Sequence, residues 1–308
     1  MLTRNEKTDY FDILEKSFGK IPAKIILSFY VLFFMCKCII PLCEQKDYIV
    51  KTLYITSPDS ITFAPVFIVF FYLSIKNLRV IGRCADVAWF FTLLGLILIF
   101  GLSVPNIDLE TILPIGGSGM SNILKGSYSG LLWFGDCIYF MFFLGEFKKE
   151  KNGDAKILLG YAVSLLIVLI FGIIFWSTFS SIAFRQRFAL TEISKYMTII
   201  NNVGRFDYIA IFFIIFADIF ALAFPFYFSS LILNRIFPIK HRFIYPILLC
   251  AAQLSFMLFF SEYYYFFETA LLNYGGIFCI MFSYVIPIIS ICIFKFKKKE
   301  NLYETSNG

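Results

Sequence analysis

Runs of about 20 apolar residues recur along this chain, parted by short charged stretches. In lipid every backbone N–H and C=O must find a partner within its own segment, so runs of this length fold as helices across a bilayer. The composition agrees. Of 308 residues, 59% are hydrophobic and 16% are charged, against about 25% charged in an average soluble domain. Forty-one are Phe, far more than a soluble core uses. A β-barrel would show short alternating segments in place of these long runs. The expected fold is all-α and polytopic, with eight transmembrane helices.

The runs place the spans at about Ile21–Cys43, Ile61–Ile75, Val80–Leu102, Asn122–Phe147, Ala155–Phe179, Asp207–Leu233, Phe243–Phe260 and Phe266–Phe294. One transmembrane domain, 21–294, then lies between an interfacial segment, 1–20, and a basic tail, 295–308. Most of the 27 Lys and Arg fall in alternate loops: the leader to Lys24, Lys76–Arg83, Lys148–Lys156, Arg235–Arg242 and Lys295–Lys299. The positive-inside rule puts those loops and both termini in the cytoplasm. The net charge of +6 is therefore a topology signal before it is anything else. It does not point to nucleic acid. The first twenty residues are charged and lack the short apolar core of a cleavable signal peptide.

Two polar stretches have helical stripes. Tyr10, Phe11, Leu14 and Phe18 line one face of the leader, which is expected either to lie on the membrane surface with Lys7, Lys16 and Lys20 toward headgroups or to be a soluble leader. In the outer loop Ser177–Arg205, Leu190, Ile193, Met197 and Ile200 predict a second interfacial helix.

Enzymatic chemistry finds no footing. His241 is the only histidine and sits between Lys240 and Arg242 in a charged loop. No nucleotide, metalloprotease or nucleophile-elbow motif is present. Most of the eight Cys lie in apolar runs, where they act as small hydrophobes. Cys36-Lys-Cys38 lacks a second pair, so neither a metal nor a cofactor is expected.

The fourth run stands apart. GGSGMSNILKGSYSGLLWFGDCIYFMFFLGEF (Gly116–Phe147) carries Gly130 and Gly135 next to Asp136 in mid-span. Each interior Gly costs a helix about 1 kcal/mol relative to Ala. An intramembrane acid costs about 2.5–3.5 kcal/mol on insertion scales. Loosened backbone beside a buried acid is what a broken helix at a midplane binding site needs. Asp218, with Ala217 and Ala221 beside it and Pro225 two turns on, is the second intramembrane acid. Gly130, Gly135, Asp136 and Asp218 are the expected ligand-binding residues. Lys37 could pair with one of these acids, but snorkelling toward the outer surface with Glu44 is the expectation. Gln253 reads as glue between helices. Asn273-Tyr-Gly-Gly276 interrupts the eighth run and reads as close helix packing.

The order of these features resembles a known family. DYFDILEKSFGKIPAKIILSFYVLFF (Asp9–Phe34) resembles the cytoplasmic linker and third helix of endospore germination permeases, the GerAB-type B subunits of germinant receptors. NLRVIGRCADVAWFF (Asn77–Phe91) resembles the entry to their fifth helix, with Arg83, Ala85 and Asp86 matching its end. Phe134-Gly135-Asp136 resembles the Phe-Gly-acid of the sixth helix, with Asp where Glu is usual. Gly204-Arg205-Phe206-Asp207 resembles the opening of the eighth.

The resemblance implies an inverted-repeat fold of the LeuT or amino acid/polyamine/organocation transporter type, here lacking its first two helices. It implies sensing of a small nutrient such as an amino acid, A-type and C-type receptor subunits as partners, and residence in the inner spore membrane. The alternatives are a secondary amino-acid transporter coupled to protons through Asp136 or Asp218, and a truncated structural partner of other receptor subunits.

Overall fold

A computed structural model describes residues 9–52, 59–113, 119–131, 134–143, 153–186, 207–260 and 263–307, with isolated positions at 117, 189, 192 and 193. Among them every regular element is helical. The helices are α1 (Tyr10–Phe18), α2 (Lys20–Thr52), α3 (Asp59–Ile75), α4 (Leu78–Ser103), α5 (Met120–Gly130), α6 (Ile138–Phe142), α7 (Gly153–Phe179), α8 (Asp207–Ile236), α9 (Ile244–Phe260), α10 (Tyr264–Ile280) and α11 (Ile286–Asn307). A single π turn, Met281–Val285, joins α10 to α11.

Five stretches among the described residues are long and apolar enough to cross a membrane: Lys20–Asp47, Leu78–Asn106, Ala155–Arg185, Ile215–Ile236 and Tyr265–Lys297. Phe63–Ile75 and Ile244–Phe260 are shorter apolar helices. The fourth predicted span is not one continuous helix. It is divided into α5 and α6.

Two compact units emerge. The first comprises 1–75, 121–149 and 222–308; the second comprises 76–120 and 150–221.

The first unit is built on aromatic rings. Tyr30, Phe34 and Phe228 pack with Phe142, all nearly or fully buried. Phe142 meets Tyr30 edge-on with centroids 5.4 Å apart, and Phe34 at 5.6 Å. Such pairs add about 0.5–1.5 kcal/mol each beyond burial. Lipid is as apolar as these rings, so shape and ring geometry, more than transfer from water, hold such helices together.

Helix α1 joins this cluster. Asp9 caps it by accepting the Asp12 backbone N–H at 2.8 Å, and partial burial pushes the Asp9 carboxyl above its ordinary value. Gly19 ends it at φ +92°, a left-handed conformation that favours glycine. Its stripe does not face lipid as the sequence suggested. Tyr10, Phe11 and Leu14 are buried against protein, with Phe142 meeting both Tyr10 and Phe11. Neighbouring helices offer that face shaped contacts and hydrogen bonds, which a headgroup layer cannot match. Arg235 completes the seat by pairing with Asp12 at 3.0 Å.

The run at Asn273–Gly276 is continuous helix within α10, so the predicted interruption moves to the π turn that follows. Gly276 serves packing. A Cβ there would stand 2.9 Å from the backbone oxygen of Tyr128. Gly276→Ala is expected to destabilise the protein by about 1–3 kcal/mol, because a backbone cannot swing aside. Gly101→Ala, with nothing within 4 Å of its new methyl, should be neutral or slightly stabilising. Unfolding of both variants in detergent checks the contrast.

In the second unit, Gly95 lets the Phe213 ring lie against α4, where a Cβ would meet it at 2.5 Å. Ile99, Ile174, Phe179, Ala183 and Ile193 form its buried cluster. Ile193 is the one described residue of the stripe predicted for the outer loop. Leu190, Met197 and Ile200 lie outside the described residues.

Candidate functional site

The candidate site lies in the first unit, where the fourth run stops being a helix. Helix α5 ends at Gly130, a single 3-10 turn covers Gly135–Cys137, and α6 resumes at Ile138. A break inside an apolar segment exposes carbonyls that lipid cannot satisfy. Three of them are met by side chains from one neighbouring stretch. Cys279 Sγ donates to the Leu131 carbonyl at 3.0 Å. Tyr284 donates its hydroxyl proton to the Phe134 carbonyl at 3.1 Å. Ser283 Oγ donates to the Gly135 carbonyl at 3.0 Å. These donors span the end of α10 and the π turn. The extra residue in a π turn shifts the helix register locally, and such turns cluster at functional sites.

Gly135 makes the approach possible. A Cβ on it would lie 2.6 Å from Cys279 Sγ, 3.0 Å from Ser283 Oγ and 3.6 Å from Lys37 Nζ. The absence of a side chain is what lets the π turn close on the break.

The charge at the site is a pair. Lys37, from α2, donates to Asp136 Oδ1. Its ammonium also lies over the Tyr139 ring, 5.4 Å from the centroid. The pair is lopsided: the lysine side chain is 10% exposed and the aspartate side chain 64%. Were the fourth run to cross the membrane as the sequence predicts, a carboxylate with that much free surface would have to meet water or another polar group, because facing lipid is heavily penalised. The Lys37 expectation is thus corrected. It does not snorkel outward with Glu44, since a fixed carboxylate and a ring face lie within its reach.

Gly135 and Asp136 are therefore brought together with Lys37, while Gly130 closes α5 five residues earlier. Asp218 belongs to the second unit, half-buried on α8. Of the residues matched to the resembled family, Arg83 and Asp86 lie exposed on α4, and Arg205 falls outside the described residues. Gln253 is buried on α9, and its side-chain nitrogen has no hydrogen-bond partner among the described residues.

Four site residues were not singled out in the sequence: Tyr139, Cys279, Ser283 and Tyr284. Two signals were available. Cys279 and Ser283 are four apart and share a helix face. Pro287, which cannot bond the Ser283 carbonyl four residues back, marks a helix irregularity there, but not that it takes the form of a π turn adding Tyr284 to that face.

A family model described as spore germination protein matches residues 1–265. No curated protein and no solved structure matches the chain.

Proposed function

The chain belongs to the spore germination protein family, and we propose that it senses a small nutrient such as an amino acid at the break beside Asp136. It is an integral membrane protein, a permease-like subunit of a germinant receptor. Its family is a germination family, not an enzyme class.

One observation carries the ligand reading. A helix break in the fourth apolar run is braced by side-chain donors and holds a charged pair whose carboxylate is mostly uncovered. An intramembrane acid that served only packing would be expected to face protein and not to stand open. An uncovered acid beside unwound backbone suits a ligand that brings its own polar groups. In this reading Gly130, Gly135 and Asp136 line the ligand cavity, and Asp218 is kept as a ligand-binding candidate of the second unit by itself. The partners are A-type and C-type receptor subunits, and the location is the inner spore membrane. The eight spans follow the inverted-repeat transporter plan.

Asp136→Asn tests the site. The amide keeps the shape and can still accept from Lys37, but it loses the charge. A lost charge-assisted hydrogen bond of about 1.5–3 kcal/mol shifts the nutrient dose–response midpoint by roughly ten- to a hundredfold at matched protein level. An unshifted midpoint with full amplitude would remove Asp136 from the site.

The topology has its own check. The charge bias places the loop around Lys240 in the cytoplasm, with both termini. A cysteine at Lys240→Cys, in a background freed of other cysteines, should resist an impermeant thiol reagent applied from outside. Ready labelling from outside would invert the topology.

A further inference from the structure

We infer that a line of buried hydroxyl groups couples the break at Gly135 to α1, so that α1 reports the state of the site. The line has three links. Ser283 Oγ donates to the Gly135 carbonyl at 3.0 Å. The preceding residue, Phe282, accepts at its carbonyl from the Tyr30 hydroxyl at 2.8 Å. The Tyr30 oxygen lies 3.2 Å from the Tyr10 hydroxyl on α1. Tyr30 has one hydroxyl proton and spends it on Phe282, so Tyr10 is the donor in the last link. Tyr10 and Tyr30 are fully buried, and Phe282 and Ser283 nearly so. All three links are buried, so breaking one forfeits a hydrogen bond that is not readily replaced; the Gly135 carbonyl keeps a second partner, the Ile138 N–H. The line therefore favours moving together over breaking.

The geometry at both ends supports a moving part. The π turn carries Phe282 and Ser283 side by side, so one rotation of that turn displaces the Gly135 carbonyl and the Tyr30 hydroxyl at once. At the far end, α1 is a nine-residue helix joined to α2 through Gly19 alone. It is held to α11 by polar contacts that can slide. Ser17 Oγ donates to the Ser290 carbonyl at 2.8 Å. Lys297 Nζ donates to the carbonyls of Lys16 and Ser17 at 3.3 and 3.0 Å. Helix α11 leaves directly from the same π turn, so both routes to α1 begin there. A change at the break thus reaches α1 by two routes. This gives the sensing role proposed above an output and rests on that role for its purpose. Its test needs no ligand.

The test is a double-variant cycle on the full chain in detergent, read by amide hydrogen exchange of α1. Ser283→Ala cuts the link at the break and is expected to speed exchange in α1 by about threefold or more, an effect of the size found for coupled neighbours. Exchange in α9, which takes no part in the line, stays within about 1.5-fold. In a Tyr30→Phe background, which keeps the ring packing and removes two links, the added effect of Ser283→Ala falls to less than half. Tyr10→Phe removes only the last link and gives the same loss of coupling should Tyr30→Phe fold poorly. Equal effects of Ser283→Ala with and without the tyrosine hydroxyls would overturn the inference, as would an unchanged α1 in the Ser283→Ala protein. An unshifted midpoint with full amplitude in the Asp136→Asn experiment would sink the sensing site at Asp136 and leave this coupling standing, so the two failures are distinguishable.

Discussion

Asp136→Ala is expected to cost the folded protein about 2–4 kcal/mol, less than the roughly 3–5 kcal/mol for breaking a fully buried ion pair because the carboxylate is 64% exposed. The mirror variant, Lys37→Met, is expected to cost less, about 1.5–3 kcal/mol, the worth of a hydrogen bond to a charged group. The asymmetry follows from exposure. Alanine at 136 strands a lysine whose side chain is only 10% exposed, with the Tyr139 ring as its remaining support. A cation over a ring recovers only about 0.5–2 kcal/mol. Methionine at 37 strands a carboxylate that is 64% exposed, and a group with that much open surface keeps other means of solvation. The double variant removes both charges and should recover most of the loss, since a pair replaced by apolar groups is often neutral. Denaturant titration of the four proteins in the same detergent decides it. Single costs that simply add in the double variant would mean that Lys37 and Asp136 are not energetically coupled.

The sequence carried the large features because they depend on few residues. Long apolar runs have one solution in lipid, and the Gly135–Asp136 pair in mid-run signals a break without help from distant residues. Lys37 shows where this stops. A lysine within a span has two outlets, the surface or an acid, and choosing between them requires knowing that α2 passes the 135–137 turn, 99 residues later in the chain. The same holds for α1. Its stripe is plain in the sequence, but an apolar stripe reads alike whether it faces lipid or protein. Only the partner rings of Tyr30 and Phe142 decide between them. The π turn was hidden for another reason. Met281–Val285 carries neither Gly nor Pro; Pro287 just beyond it signals an irregular helix, but the form of the turn goes with what it reaches, the carbonyls of Phe134 and Gly135.

Gly135→Leu is expected to abolish the nutrient response, or to move its midpoint by more than about a hundredfold, at matched protein abundance. The first added carbon alone would lie 2.6 Å from Cys279 Sγ and 3.0 Å from Ser283 Oγ. Both are ends of small side chains that can rotate away, so Gly135→Ala should be tolerated at a modest cost. Leucine brings three more carbons and leaves no such escape. The π turn must withdraw or the break must move, at about 1–3 kcal/mol for overpacking. Either movement separates Ser283 from the Gly135 carbonyl, which keeps only the Ile138 N–H, and the lost hydrogen bond costs about 0.5–1.5 kcal/mol more. Leucine also favours helix over glycine by about 1 kcal/mol, which pulls the 131–137 segment toward joining α5 to α6. A continuous helix there would turn Asp136 by a new register and unseat Lys37, whose ammonium lies 3.6 Å from the same added carbon. The steric origin can be isolated. Cys279→Ala removes the nearest obstacle and should relieve Gly135→Ala while doing little for Gly135→Leu. A Gly135→Leu protein that answers nutrient at the unmodified midpoint would show that the break is scaffold, and that ligand binds elsewhere in the chain.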